Sequence, residues 1–97
     1  GMAKLSKIMK IKSSFELWFE VSESIIIFLA EKGSITLNGV SLTINHIDNN
    51  LFSVNIINHT WENTNLSGYK IGSFMNLEVD IISRYVSRHI KNFTNYK

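Results

Sequence analysis

Residues 32–44 read KGSITLNGVSLTI, and this stretch decides the fold. The Asn-Gly pair at 38–39 is favoured in a two-residue β-turn that needs positive φ at both positions. A hairpin with that turn pairs residue 37 with 40 and residue 34 with 43, so its hydroxyl side chains share one face and its aliphatic side chains share the other. Such a hydroxyl face either meets water, as threonines on strands usually do, or forms the polar wall of a pocket. The residues of this face are Ser34, Thr36, Ser41 and Thr43.

Alternating segments on both sides of this hairpin predict further strands. The clearest is SFELWFEVS at 14–22, where apolar residues recur at every second position. Residues 3–11 predict an opening strand, the second hairpin arm runs on to a turn at 48–50, and 51–57 and 74–82 complete about six strands. This pattern indicates an all-β fold, a small antiparallel barrel or sandwich. A closed barrel is favoured because it leaves no exposed strand edge in a thin domain without disulfides.

Three other segments lack the strand pattern. IIIFLAEKG at 25–33 follows two serines and predicts a short helix ended by Gly33, although three consecutive isoleucines also suit a buried strand. Residues 58–68 are polar and rich in asparagine, which is typical of a loop or one helical turn. Residues 82–95 predict an amphipathic C-terminal helix, because apolar residues recur there at spacings of three and four.

Length and composition fit one globular domain over residues 1–97, since 44% of the chain is hydrophobic and 19% is charged. The formal net charge is only +2, and lysines crowd only the first twelve positions, which disfavours a nucleic-acid interface. The absence of cysteine excludes disulfides and thiol nucleophiles and is compatible with a cytoplasmic location. The longest apolar run, at 25–30, is far short of the roughly 20 residues that cross a bilayer. We therefore expect neither nucleic acid nor a membrane as a partner.

Motifs for catalysis are sparse when each is judged by spacing alone. His59 and Glu62 can place two ligands on one helical turn, but a metal site needs a third and a fourth, so no metal is expected. The sequence has no Ser-His-Asp order and no glycine-rich phosphate loop. Asp80 lies near the end of an otherwise apolar strand, just before the last helix, where a helix cap is a more common role than a ligand contact.

Taken in order, however, several segments resemble those of riboflavin synthase, and most closely the carboxy-terminal of its two lumazine-binding barrels. The match extends from about Lys4 to His89, and the order of the pieces is specific although each piece alone is weak. The matching pieces are KGSITLNGVSLTI at 32–44, FSV at 52–54, INHT at 57–60, ENTNL at 62–66, IG at 71–72, MNLEVD at 75–80 and RYV at 84–86.

The resemblance implies a six-stranded Greek-key barrel that binds 6,7-dimethyl-8-ribityllumazine and riboflavin. In the family reaction one lumazine donates a four-carbon unit to a second, giving riboflavin and a ribitylamino-pyrimidinedione without an external cofactor. Two lumazines must be stacked between facing barrels, so positioning supplies much of the catalysis, together with proton removal from a ring methyl group. The implied partners are the amino-terminal barrel of the same enzyme and further copies of the chain in a homo-oligomer.

The family's ligand contacts, carried over position by position, fall on six residues of this chain. Ser41 and Asp80 are also the implied catalytic residues. A ring edge needs directed hydrogen bonds, which Ser41 and Thr43 can supply side by side, and a polyol tail needs a group such as the Asp80 carboxylate. The resemblance therefore favours the pocket interpretation of the hydroxyl face. The six positions are Lys32, Ser41, Thr43, Ile57 through its backbone, Thr60 and Asp80.

The chain also departs from the family pattern. The amino-terminal barrel and the Gly-His motif that precedes the second barrel are not in the sequence, and Asn58 stands where the family has proline. These departures predict either part of a riboflavin synthase, a transferase, that turns over poorly alone, or a barrel that binds lumazine or flavin without catalysis. A barrel that makes protein contacts through its terminal helix is a third interpretation, and the apolar stripe of that helix predicts self-association.

Overall fold

Six antiparallel strands form a closed barrel in the computed structural model, which describes residues 1–79. The strands are β1 (Met2–Ile11), β2 (Ser14–Glu20), β3 (Ser34–Leu37), β4 (Val40–Asp48), β5 (Leu51–Ile57) and β6 (Phe74–Val79). Neighbours around the barrel follow the order β1-β2-β5-β4-β3-β6, so β6 closes the barrel between β3 and β1. The prediction of an all-β barrel is confirmed. The predicted helix at 82–95 and Asp80 lie outside the described residues.

The barrel interior is filled by the apolar half of each alternating strand. Phe19 of β2 and Phe52 of β5 are paired across the sheet, and both are fully buried with ring centroids 5.3 Å apart. Leu17 and Val54 form the next inward pair of the same two strands and are also fully buried. Side chains alternate between the two faces of a strand, but Ser53, which lies between Phe52 and Val54 on β5, is also fully buried.

The β3–β4 hairpin has the register expected from its Asn-Gly turn. Leu37 pairs with Val40 and Ser34 pairs with Thr43, so the predicted pairing is confirmed. Asn38 and Gly39 have φ values of +48° and +85°, the left-handed conformation that this turn demands. The aliphatic face points into the core and the hydroxyl face points out of the barrel.

The helix predicted in 25–33 is present but shorter, as α1 (Glu23–Ile26). Gly33 does not end it, so that part of the prediction is wrong. Lys32 has a φ of +69°, and the Gly33 amide donates to the Ala30 carbonyl at 2.9 Å in a tight turn before β3. A Cβ on Gly33 would lie 2.9 Å from that carbonyl oxygen, which explains why this position has no side chain.

The segment after β5 contains α2 (Asn58–Asn63) and a 3-10 turn (Asn65–Gly68). Trp61 of α2 stacks on Phe15 of β2 with ring centroids 4.4 Å apart, and Leu66 of the 3-10 turn is fully buried in the core. Since β4 begins where the antiparallel β5 ends, this segment lies at the end of the barrel that carries the tip of the β3–β4 hairpin. No helix within residues 1–79 has the length and apolarity needed to cross a membrane.

Candidate functional site

The outer face of the β3–β4 hairpin continues onto β6 as a polar row. Thr36 of β3 is paired with Ser41 on one side and with Glu78 of β6 on the other. These three residues line a depression of about 280 Å³ together with Ser34, Ile35 and Val79. A hydroxyl row that ends in a carboxylate offers both donors and acceptors, which is the chemistry that a polyol requires.

Beside this row, the barrel wall is incompletely paired between β4 and β5. Within residues 1–79, the pairing of these strands ends at Ile44 with Val54. Residues 40–43 pair with β3 but not with β5, and residues 55–57 pair with β2 but not with β4. We call the space between these two unpaired stretches the β4–β5 opening.

Backbone polar groups of β4 are directed toward the β4–β5 opening. The Ile44 amide donates to the Gly33 carbonyl at 2.8 Å, so the backbone groups of Ile44 point toward β3. Because hydrogen-bonding direction alternates along an antiparallel strand, the backbone groups of Ser41 and Thr43 point the other way, into the opening. Their side chains are exposed on the outer surface at the same place.

The β5 side of the opening is arranged in the same way. The Asn58 amide donates to the Ser13 carbonyl at 3.1 Å, toward the β2 side of the sheet. By the same alternation, the backbone groups of Ile57 point toward β4. The Ile57 side chain is 61% exposed and adds an apolar surface next to these polar groups. The opening therefore combines directed hydrogen-bonding groups with an apolar wall, as a site for a flat heteroaromatic ring would.

The remaining predicted site residues lie around these features. Lys32 is exposed at the base of the hairpin, where its amide donates to the Ile44 carbonyl at 2.7 Å. Thr60 is half-buried on α2, and its carbonyl accepts a hydrogen bond from the Thr64 hydroxyl at 2.7 Å. Asp80 follows Val79 directly in sequence but lies outside the described residues. The hairpin thus carries Lys32, Ser41 and Thr43 together, while Ile57 and Thr60 lie at the junction of β5 and α2.

Of the six residues that line the depression, only Ser41 is among the predicted ligand contacts. Glu78 contributes a carboxylate, and Thr36 lies between it and Ser41. The alternation of the sequence in β6 already predicts that Asn76 and Glu78 share one face, and this was the available signal. What the alternation does not specify is that β6 pairs with β3, and this pairing alone brings Glu78 to the hydroxyl row.

No group of three or more histidine, aspartate or glutamate side chains within residues 1–79 has the geometry of a metal site. His59 instead interacts with Asn63, whose amide nitrogen donates to the His59 carbonyl at 2.8 Å. The chemistry that the described residues offer is hydrogen bonding around a surface concavity.

Comparison with known proteins identifies relatives over most of the chain. The family model of the lumazine binding domain matches residues 1–80. Riboflavin synthase of Photobacterium phosphoreum is 40% identical over 75 residues, which are 77% of this chain and 34% of that protein. Riboflavin synthase of Actinobacillus pleuropneumoniae is 38% identical over 90 residues, which are 93% of this chain and 42% of that protein. The chain thus spans well under half the length of these curated relatives.

Solved structures share the fold. LumP complexed with flavin mononucleotide and LumP complexed with 6,7-dimethyl-8-(1'-D-ribityl) lumazine each superpose with a TM-score of 0.78 at 24% identity. Each superposition covers 82% of this chain and 45% of the LumP chain. The family match over residues 1–80, the closed six-stranded barrel and these relatives agree, and the chain belongs to the lumazine-binding domain family.

Proposed function

We propose that this chain binds one molecule of 6,7-dimethyl-8-ribityllumazine and is the lumazine-holding part of a riboflavin synthase, a transferase. Family membership and the curated relatives named riboflavin synthase support this assignment. LumP, which shares this fold, has been solved in complex with 6,7-dimethyl-8-(1'-D-ribityl) lumazine, and this supports a ligand of the same class here. Riboflavin, which carries the same ribityl chain on a larger ring, is the second ligand of the proposed site.

The observation that carries the proposal is the continuity between the β4–β5 opening and the hydroxyl row. A lumazine ring carries carbonyl and nitrogen acceptors and an N–H donor along one edge, and the backbone groups of Ser41 and Ile57 point toward that edge from two sides. The ribityl chain then extends over the depression, where the Thr36 hydroxyl and the Glu78 carboxylate meet its hydroxyl groups. The ring edge thus faces directed backbone hydrogen-bonding groups, and the ribityl tail faces hydroxyl and carboxylate groups.

The predicted contacts receive distinct roles in this arrangement. Ser41 and Thr43 hydrogen-bond the ligand from the hydroxyl face, and Ile57 contributes backbone groups and an apolar surface. Thr60 approaches the ring from α2, and the Lys32 ammonium group binds acceptor atoms at the base of the hairpin. For catalysis we assign Ser41 and Asp80 to the ring and tail of the reacting lumazine. The role of Asp80 is inferred from the family resemblance.

The reaction itself requires a second lumazine. One molecule loses a four-carbon unit and becomes the ribitylamino-pyrimidinedione, and the other gains that unit and becomes riboflavin. Proximity and orientation of the two rings lower the entropic part of the barrier. The proposed site holds one ring, so a second barrel must supply the other ring. We assign this role to an amino-terminal barrel of the same enzyme within a homo-oligomer.

A fluorescence titration with 6,7-dimethyl-8-ribityllumazine tests the binding site. We expect saturable binding, and we expect Ser41→Ala to raise the dissociation constant about tenfold, because a lost hydrogen bond in a ligand site is worth about 1–1.5 kcal/mol. Ser67→Ala, which removes an exposed hydroxyl from the 3-10 turn, is the matched control and should bind like the parent chain. Absence of saturable binding in the parent chain would refute the proposed site.

A complementation assay separates half of an enzyme from a binding module. The chain is mixed with a separately produced amino-terminal barrel of a riboflavin synthase, and riboflavin is measured after addition of lumazine. Riboflavin formed by the mixture, at a rate above that of either part, supports the enzymatic assignment. Tight lumazine binding without turnover in any mixture would instead establish a non-catalytic lumazine or flavin carrier.

A further inference from the structure

Asn38, at the tip of the β3–β4 hairpin, connects three separate parts of the fold. The geometry points to Asn38 as a positioning residue of the proposed lumazine site: its side chain holds the hairpin arm that carries Ser41 and Thr43. The expected effect on lumazine binding rests on the proposed function, but the contacts of Asn38 that carry the inference do not depend on any ligand.

The first contact joins the hairpin to β6. The Asn38 amide donates to the Asn76 carbonyl at 2.8 Å, and the Asn76 amide donates to the Asn38 side-chain oxygen, also at 2.8 Å. With a φ of +48°, the backbone of Asn38 has already left the strand, so its side-chain oxygen takes the acceptor position that a strand carbonyl would occupy. The β3–β6 pairing thereby continues one residue beyond its last pair, Leu37 with Leu77.

The second contact joins the hairpin to the segment that follows α2. The Asn38 side-chain nitrogen donates to the Tyr69 hydroxyl. The Asn38 carbonyl, turned away from β6 by the positive φ, accepts a longer bond of 3.4 Å from the Asn65 side chain. Every polar group of Asn38 therefore has a partner outside the hairpin.

These bonds matter because the adjoining arm of β4 is held on one side only. Residues 40–43 pair with β3 and have no paired residue on β5, where the pairing ends at Ile44 with Val54. The position of Ser41 relative to Ile57 across the β4–β5 opening therefore depends on how firmly the hairpin tip is tied to its surroundings. Asn38, three residues before Ser41, supplies that tie.

Three variants separate the side chain from the backbone conformation. Asn38→Gly keeps the positive φ at no steric cost and removes the side-chain bonds to Asn76 and Tyr69. Asn38→Asp keeps the oxygen that accepts from Asn76 and can accept the Tyr69 hydroxyl proton. Asn49→Gly is the matched control, because Asn49 (φ +55°) is the first residue of the two-residue turn at the other end of β4 and its side chain makes no hydrogen bond within residues 1–79.

The experiment measures lumazine affinity and amide hydrogen exchange on the four proteins. We expect Asn38→Gly to raise the lumazine dissociation constant about tenfold, and Asn38→Asp and Asn49→Gly to stay within about twofold of the parent chain. The Asn76 and Val40 amides should exchange at least roughly tenfold faster in Asn38→Gly only. Rescue by aspartate distinguishes positioning from a general loss of stability.

The outcomes are separable. A parent chain that binds lumazine and an Asn38→Gly variant that binds it equally well would overturn the inference and leave the proposed function standing. A parent chain that does not bind lumazine would refute the proposed function, and the exchange rates would still decide whether Asn38 fixes the hairpin arm. If Asn38→Gly does not fold, Tyr69→Phe removes one of the partners of Asn38. The inference expects weaker lumazine binding in that variant, and an unchanged affinity would overturn it.

Discussion

Replacing Leu66 with alanine tests whether the 3-10 turn closes the end of the barrel. The Leu66 side chain is fully buried in the core, although Leu66 belongs to the 3-10 turn and not to a strand. The substitution removes about three methyl equivalents, each worth about 0.8 kcal/mol of transfer free energy. The residual cavity adds to this, so we expect the free energy of unfolding to fall by about 3–4 kcal/mol.

Urea unfolding followed by tryptophan fluorescence measures this change, with an unaltered slope against urea concentration as the sign that only stability has changed. In a domain of this size the same loss lowers the melting temperature by roughly 12–30 °C. Ile71→Ala is the matched control, because Ile71 is an isomer of leucine near the same turn and is 64% exposed. We expect it to cost less than about 0.5 kcal/mol. A Leu66→Ala variant as stable as the Ile71→Ala variant would show that this segment does not pack against the core.

Further predictions concern the turns and the outer surface. Gly39→Ala should lower the free energy of unfolding by about 1–2 kcal/mol, because Gly39 has a φ of +85°. Gly68→Ala, where nothing lies within 4 Å of an added Cβ, should change it by less than about 0.5 kcal/mol in the same urea titration. Ser53→Ala should cost about 1–2 kcal/mol, since its fully buried hydroxyl accepts the His46 amide proton at 3.1 Å; equal stability of variant and parent would contradict this. Glu31→Gln should change the melting temperature by less than about 3 °C, because Glu31 and His46, whose side chains approach to 3.5 Å, are each more than half exposed. A larger fall in calorimetry would show that this is not an ordinary surface contact.

Local patterns predicted most of the strands. The Asn-Gly pair specified the turn and register of the β3–β4 hairpin, because few residue pairs accept positive φ at both positions. Alternation predicted which residues of β2 face the core. The end of α1 was not predictable in this way, since the chain leaves the helix to place Leu29 at the core and to make the tight turn at Gly33. Those requirements come from the barrel and not from helix propensity.

The candidate site was predictable only in part. The hydroxyl face of the hairpin follows from alternation, and the resemblance to riboflavin synthase suggested that it binds a ligand. Neither the contribution of Glu78 nor the β4–β5 opening follows from local pattern, because each depends on a neighbouring strand. Glu78 reaches the hydroxyl row through the β3–β6 pairing, and the opening exists because the β4–β5 pairing stops at Ile44.

By itself, the sequence determined most of the strands of the barrel, the turn at Asn38-Gly39 and, in the β3–β4 hairpin and β2, the side that meets the core. These properties depend on residues within a few positions of one another, where backbone sterics and the alternation of side chains decide the outcome. Only the tertiary structure decided that β6 pairs with β3, that β4 separates from β5 beyond Ile44, and that Asn38 is bonded to Asn76. Those contacts join residues far apart in the chain, and they form only when the closed barrel as a whole outweighs the entropy lost in bringing its strands together.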